Sequence, residues 1–187
     1  MLHGYPHAFS TIIKNTESLV AQIVYKMIAH AEERRDIVQD IYLKAFKSLT
    51  GFRFQSKLST WIAQISYNTC LNHIEKKMPQ LIDDFNYRYN GEKETPDFAH
   101  HHSSLVSPSI VEAVISQKQL SKILTSELEN LPPVYKTLIC LYHQEEMRYE
   151  EISKITALPI GTVKSYLFRA RKLLKENILS KYKREEL

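Results

Sequence analysis

The stretch Tyr149 to Lys175, YEEISKITALPIGTVKSYLFRARKLLK, is compatible with few folds. Ile152, Ile155, Leu158, Val163 and Leu167 are spaced so that two short helices close on each other across a tight turn, the pattern of a helix-turn-helix. The turn is Ala157-Leu158-Pro159. Pro159 cannot continue the first helix, but its fixed φ is already helical and its missing N–H is not needed at the start of the second. That second helix carries Lys164, Arg169, Arg171, Lys172 and Lys175, with no acidic residue between Gly161 and Lys175. One-sided charge of this kind is a phosphate-facing surface. Thr162, Lys164, Ser165, Phe168 and Arg169 fall at or near the N-terminal half, which helix-turn-helix units insert into a major groove to read base edges. An ordinary basic amphipathic helix explains the charge but not the turn and the spacing together.

The rest of the chain reads as all-α, two small helical domains joined by a flexible linker. Four glycines in 187 residues, abundant Leu, Ile, Lys, Glu and Gln, and no sustained period-two alternation argue against sheets. A hydrophobic content of 43% is enough for packed cores. Residues 1–79 carry 10 Lys+Arg against 6 Asp+Glu, residues 80–130 carry 4 against 8, and residues 131–187 carry 11 against 7. Two basic blocks thus flank an acidic one, as expected of two DNA-binding modules on a tether that avoids the duplex. Cys70 and Cys140 are far apart, in no CxxC, and read as buried free thiols. With no secretory leader pattern and no apolar run of membrane-spanning length, the expected location is the cytoplasm.

In order, Phe9 to about His30 has helical apolar spacing with a possible break near Asn15-Thr16, and Ala31 to Arg35 is a charged connection. A second helix follows with Ile37, Val38, Ile41, Ala45, Phe46 and Leu49 on one stripe and Asp36, Gln39, Asp40 and Lys44 opposite. Thr50 to Ser59 is a loop in which Phe52 and Phe54, beside Arg53 and Lys57, either stack unpaired bases or anchor the loop. A third helix, about Thr60 to Lys77, buries Trp61, Ile62, Ile65, Leu71 and Ile74. Domain boundaries follow: residues 1–79, a linker over 80–109, and 110–187. The linker's His100-His101-His102 lacks suitably spaced partners and reads as polar loop, so no metal and no cofactor is expected. Ile110 to Leu128 has helical spacing, a helix from Val134 to about Tyr142 packs Leu138, Ile139 and Leu141 under the helix-turn-helix, and the tail from Ser180 frays.

Taken together, DIVQDIYLKAF (Asp36 to Phe46), FQSKLSTWIAQISYNTCLNHIEKK (Phe54 to Lys77), LPPVYKTLICLY (Leu131 to Tyr142) and RYEEISKITALPIGTVKSYLFRARKLL (Arg148 to Leu174) resemble a bacterial RNA polymerase sigma factor of the sigma-70 family. The resemblance is to the extracytoplasmic-function subfamily, which keeps only two domains. It implies that Asp36, Gln39 and Asp40 grip a coiled coil on the largest subunit of core RNA polymerase. It implies that the loop holding Arg53, Phe54 and Lys57, with Asn68, receives a flipped base of the minus-ten element, where stacking must repay the few kcal/mol that flipping costs. Lys164, Ser165, Phe168 and Arg169, with Thr162 beside them, would face minus-thirty-five base edges, and Arg171 and Lys172 would hold phosphates. An anti-sigma partner is implied as well, with no membrane insertion of this chain.

Five positions depart from the family pattern. Arg34-Arg35 stands for Ala-Glu, so an acidic contact to polymerase is lost or reversed. Tyr67 and Glu75 each stand for a frequent Arg and would remove charge from the promoter-facing surface. Ala157 stands for the turn Gly, which requires that its φ stay negative. The alternative function is a stand-alone helix-turn-helix transcriptional regulator, which would need a ligand or dimerisation domain where this chain has the DIVQD face. An enzyme is disfavoured because no phosphate loop, HExxH or oriented nucleophile is present.

Overall fold

The computed structural model describes residues 6–77 and 110–181, with side chains over 9–77 and 120–181. The expected linker, its His100-His101-His102 and the end of the tail lie outside the described residues. Seven α-helices fill the described residues in two runs. The first is α1 (Pro6–Met27), α2 (Ala31–Ser48) and α3 (Leu58–Lys77); the second is α4 (Ile110–Glu129), α5 (Pro133–Ile139), α6 (Tyr149–Thr156) and α7 (Ile160–Lys181). A short 3-10 turn, Leu49–Gly51, follows α2, and a π turn, Cys140–Gln144, follows α5.

The break expected near Asn15-Thr16 does not occur. Thr16 is buried at 3% exposure and its hydroxyl bonds back to the Ile12 carbonyl at 2.7 Å while meeting the Tyr42 hydroxyl of α2 at 3.2 Å. A polar side chain that would otherwise compete with the helix is therefore satisfied inside it. Helix α2 likewise starts at Ala31 rather than after Arg35. Arg34 donates to the Ile28 and Ala29 carbonyls at 2.9 and 3.2 Å and lies 4.4 Å from the centroid of the Tyr25 ring. It thus serves carbonyls that the end of α1 leaves unpaired. The departure read as a lost polymerase contact has, at Arg34, a structural use.

The stripe expected on α3 is a further correction. Trp61, Ile65, Leu71 and Ile74 are half-buried, whereas Thr60, Ile62, Ala63, Ser66, Tyr67, Thr69 and Cys70 are buried. Helix α3 packs on α1, α2 and α6 at once, so small and polar residues face inward where backbones approach. Ser66 answers its own burial by donating to the Ile62 carbonyl at 2.8 Å. On α2, Ile37, Ile41 and Ala45 are buried as the spacing predicts, but Phe46 is 46% exposed and meets Phe9 edge-on at 5.1 Å.

The two runs share one core. Ile23, Ile41 and Ile62 from the first join Tyr135, Leu138, Ile152, Ile155 and Leu167 from the second in a continuous cluster, with α1 against α5 and α3 against α6. Polar contacts cross the same boundary: the Cys140 thiol donates to the Gln22 amide oxygen at 3.0 Å, Lys26 pairs with Glu129, and Lys57 pairs with Glu151 at 2.9 Å. Both cysteines are free and buried as expected, and burial pushes their thiols up, Cys70 to about 12 and Cys140 to about 11. Neither supplies a thiolate at neutral pH.

In the second run, Ile152 and Ile155 of α6 close on Val163, Tyr166, Leu167 and Ala170 of α7. Between them Ala157 adopts φ 57° and ψ 20°, not the negative φ expected. A left-handed alanine costs about 1 kcal/mol, and the turn carries it because Ser153 donates to the Leu158 carbonyl at 2.6 Å, bracing the loop. At the other end of α7, Ser180 and Lys181 remain helical rather than fraying. The Lys181 ammonium reaches both oxygens of Glu127 at 3.0 and 2.9 Å, and Asn130 donates to the same carboxylate at 3.3 Å. The Glu127 carboxylate is buried at 2% exposure, and the Lys181 hydrogen bonds hold its pKa below the usual range against desolvation.

Two predictions follow from these contacts. Ala157→Gly relieves the left-handed strain and raises stability by about 1 kcal/mol, seen as a melting temperature about 2–4 °C higher. Because the folded pKa of Glu127 lies below its unfolded value of 4.5, its contribution is present above that value and is lost as pH falls through the folded pKa. Urea titrations at stepped pH should show that acid-sensitive component in the natural chain and its disappearance in Lys181→Met.

Candidate nucleic-acid interface

Helix α7 presents its basic side beyond the turn. Thr162, Lys164, Ser165, Phe168 and Arg169 are half-buried along the N-terminal half, while Arg171 and Lys172 are exposed. Gly161 is open, with no heavy atom within 4 Å of where a Cβ would stand, and Ile160 beside it is 39% exposed. The Ser165 hydroxyl donates to the Thr162 carbonyl at 3.0 Å, so both side chains sit on the first turns of the helix.

A ladder of rings holds two of the cations. The Lys164 ammonium lies 5.4 Å from the Tyr149 ring centroid, Tyr149 stacks on Tyr142 at 5.1 Å and 9°, and the Arg171 guanidinium lies 5.2 Å from Tyr142. Arg171 also stands 3.2 Å from the His143 ring nitrogen. Burial and then the Arg171 charge lower the His143 pKa, which keeps the imidazole neutral and able to accept from Arg171. The arrangement orders Lys164 and Arg171 before any phosphate arrives, cutting the side-chain entropy that binding must lose. Sequence reading missed Tyr142, His143 and Tyr149. The signal was present as aromatics at the ends of the two segments flanking the helix-turn-helix.

The loop before α3 resolves the two phenylalanines. Phe52 is half-buried, 4.9 Å from Trp61 and 4.8 Å from Phe54 by ring centroids, and anchors the loop. Phe54 is 85% exposed and sits at φ 56°, a conformation that a bulky side chain seldom adopts. A large apolar ring displayed in strained backbone is a candidate contact, since ordinary packing explains neither feature. Arg53 next to it in the chain is exposed, Asn68 is exposed on α3, and Lys57 is paired with Glu151. Tyr67 does not lie on an open promoter-facing surface as the sequence suggested. It is 3% exposed, burial pushes its phenol up to about 12, and Tyr166 of α7 adds to that rise.

On α2, Asp36, Gln39 and Asp40 are exposed on one face as expected. Leu43, one turn beyond Gln39, is 56% exposed on the same side and is an apolar group that periodicity alone did not single out. Asp40 also borders a cleft of about 380 Å³ between α2 and α3, where Lys44, Asn72, His73, Glu75 and Lys76 contribute both signs of charge. Glu75 therefore faces neighbouring cations as well as solvent. Among the described residues no group of three or more His, Cys, Asp or Glu side chains gathers to hold a metal, and no helix is long and apolar enough to cross a membrane.

The family model described as sigma-70 region 2 matches residues 12–79, and the one described as sigma-70 region 4 matches residues 121–174. The chain belongs to the sigma-70 family. Its similarity runs to the extracytoplasmic-function branch along nearly its whole length. It is 28% identical to the ECF RNA polymerase sigma factor SigW of Bacillus subtilis over 94% of this chain and 91% of that one. It is 27% identical to the ECF RNA polymerase sigma-E factor of Escherichia coli K12, over 94% and 88%. Among solved structures, the sigma factor RpoE in complex with the anti-sigma factor NepR from Bartonella quintana has the same fold, with a TM-score of 0.63, 20% identity and coverage of 94% and 99%. CnrH in complex with the cytosolic domain of CnrY gives a TM-score of 0.60 at 18% identity, covering 96% and 92%.

For this sigma-70 family member, the geometry separates two kinds of contact. Arg171→Ala should weaken binding to all duplexes alike and lower the slope of log affinity against log salt by about 1, read by fluorescence anisotropy across a salt series. Phe54→Ala should leave unfolding within about 0.5 kcal/mol of the natural chain, because the ring is exposed, yet cost about 1–3 kcal/mol in affinity for single-stranded or opened DNA.

Proposed function

We propose that the chain is an alternative sigma factor that binds core RNA polymerase and directs promoter-specific initiation by reading minus-thirty-five and minus-ten elements. The observation that carries this reading is the pairing, on one chain, of an exposed and strained Phe54 with a helix-turn-helix whose cations are pre-ordered. One display suits an unpaired base and the other a duplex, and few duties besides promoter opening need both. The division of labour we propose is residues 1–79 for polymerase binding and minus-ten melting, 80–109 as linker, and 110–187 for minus-thirty-five recognition.

In that scheme Asp36, Gln39 and Asp40 form the polymerase contact, with Leu43 adding apolar area at its C-terminal edge. Arg53, Phe54, Lys57 and Asn68 receive the minus-ten strand. Thr162, Lys164, Ser165, Phe168 and Arg169 read minus-thirty-five base edges, while Arg171 and Lys172 hold phosphates. Sigma factors initiate transcription without catalysing a reaction, and here binding energy alone is asked to open the duplex. The chain works beside polymerase in the cytoplasm, and the anti-sigma partners in the RpoE and CnrH complexes support a protein inhibitor for this chain too. A stand-alone regulator is the weaker reading, since the relatives that span the chain are sigma factors.

In vitro transcription from genomic fragments tests this directly, comparing core polymerase alone with core plus protein. The natural chain should create new start sites, and Asp36→Arg and Arg169→Ala should each lower their yield at least tenfold. Duplex binding that leaves core polymerase silent would favour the stand-alone regulator.

A further inference from the structure

We propose that His143 is a further phosphate-binding residue of the duplex interface, and that DNA binding takes up a proton there. The inference rests on the reading of α7 as the helix that meets a duplex and of Arg171 as one of its phosphate contacts. His143 stands on the π turn Cys140–Gln144, where Cys140 and Leu141 are buried and fix the turn against the core while the imidazole is exposed. Tyr142 on the same turn is edge-on to the imidazole at 4.9 Å and 87°. The Arg171 guanidinium lies 5.2 Å from the Tyr142 ring centroid and 3.2 Å from His143 Nε2. The turn thus brings a titratable ring to a cation on the solvent side of α7.

Arginine keeps its proton at any working pH, so this contact requires that Nε2 be unprotonated and accept. Burial first and the Arg171 charge second hold the His143 pKa below its ordinary 6.5. At neutral pH the free chain therefore offers one positive charge here, not two. A duplex reverses the second cause. A phosphate held by Arg171 brings negative charge within about 4–6 Å of the imidazole, and an opposite charge at that range favours the protonated ring. Once protonated, the imidazole has only donors, so it leaves Arg171 and gives its N–H to a backbone whose charges recur every ~1.7 Å along the helix axis. The remaining neighbours do not change with DNA in this way. Glu146 on the same turn, with Arg148, Tyr149 and Glu150 at the start of α6, lines with His143 a cleft of about 540 Å³. Its two carboxylates outweigh Arg148 and disfavour a phosphate inside the cleft, which leaves the Arg171 side for the backbone. Because binding raises the His143 pKa, affinity rises as pH falls, from the bound-state value down to the free-state value below 6.5.

The test uses the full chain and a mixed-sequence duplex in low salt. Followed by NMR, the His143 ring should titrate in the free chain with a midpoint below 6.5, and in the complex about half a unit or more higher. Arg171→Ala should raise the free-chain midpoint. His143→Gln keeps an acceptor for Arg171 but cannot titrate. Between about pH 8 and about pH 5.5 the natural chain should gain about threefold or more in affinity beyond any gain that His143→Gln retains from other histidines. Over the same range its slope of log affinity against log salt should steepen by about 1 more than that of the variant, a change that a merely structural histidine would not produce. The proposal is overturned if the duplex leaves the His143 midpoint unchanged or lowers it, or if His143→Gln reproduces the full pH and salt dependence. Either result, with Arg171→Ala still weakening binding, leaves the duplex reading of α7 standing. A duplex that fails to bind, or that binds Arg171→Ala equally well, overturns that reading and the proposal together.

Discussion

The burial of α3 on three sides is the constraint from which the other features of this molecule descend. A helix packed on α1, α2 and α6 at once has no solvent face wide enough to carry a charged stripe, and its inward residues must be small or internally satisfied. Ala63, Ser66, Thr69 and Cys70 meet that demand. So does Tyr67, whose phenol reaches the boundary with the second run of helices. Phe52 takes the available place against Trp61, and Phe54 is left outside in left-handed backbone.

Much of this was legible in the chain itself, and the reasons differ by element. The helix-turn-helix could be read because its turn, its apolar spacing and its charge are all local, with Ile152, Ile155, Val163 and Leu167 buried where the spacing put them. Helix α3 was misjudged because a stripe can be read only for a helix with one buried face, and Trp61, Ile65 and Leu71 turned out half-buried. The Arg34 cap, the Thr16–Tyr42 hydroxyl contact and the Tyr142–Tyr149 ladder were invisible for a different reason. Each depends on two segments brought together by the fold, and no spacing rule within one segment reports such a pair.

Ala157 shows how local chemistry and global packing trade against each other. Glycine would suit the left-handed turn better, yet alanine is accommodated because α6 and α7 are already fixed by Ile155, Val163 and Leu167, and by the Ser153 bond to the Leu158 carbonyl. The turn is over-determined by its surroundings, so a strain of about 1 kcal/mol is absorbed without loss of geometry. Glu127 follows the same logic at the far end of α7. A buried carboxylate is tolerable only because Lys181 and Asn130 saturate it, and that pairing in turn keeps the last turn of α7 helical.

The ion pairs within each run of helices differ in exposure from those that cross between the runs. Glu33 is bound by Lys77 and by His73 at 2.6 Å within the first run of helices, and Glu127 by Lys181 within the second. The pairs that cross the boundary are different in kind. Lys57 is 75% exposed even while paired, and Lys26 meets a Glu129 that is half exposed. Solvent-exposed pairs of this sort contribute little and are screened by salt, so they fix the register of the two runs more than they hold them together. Holding falls to the apolar contacts of the shared core and to Tyr67.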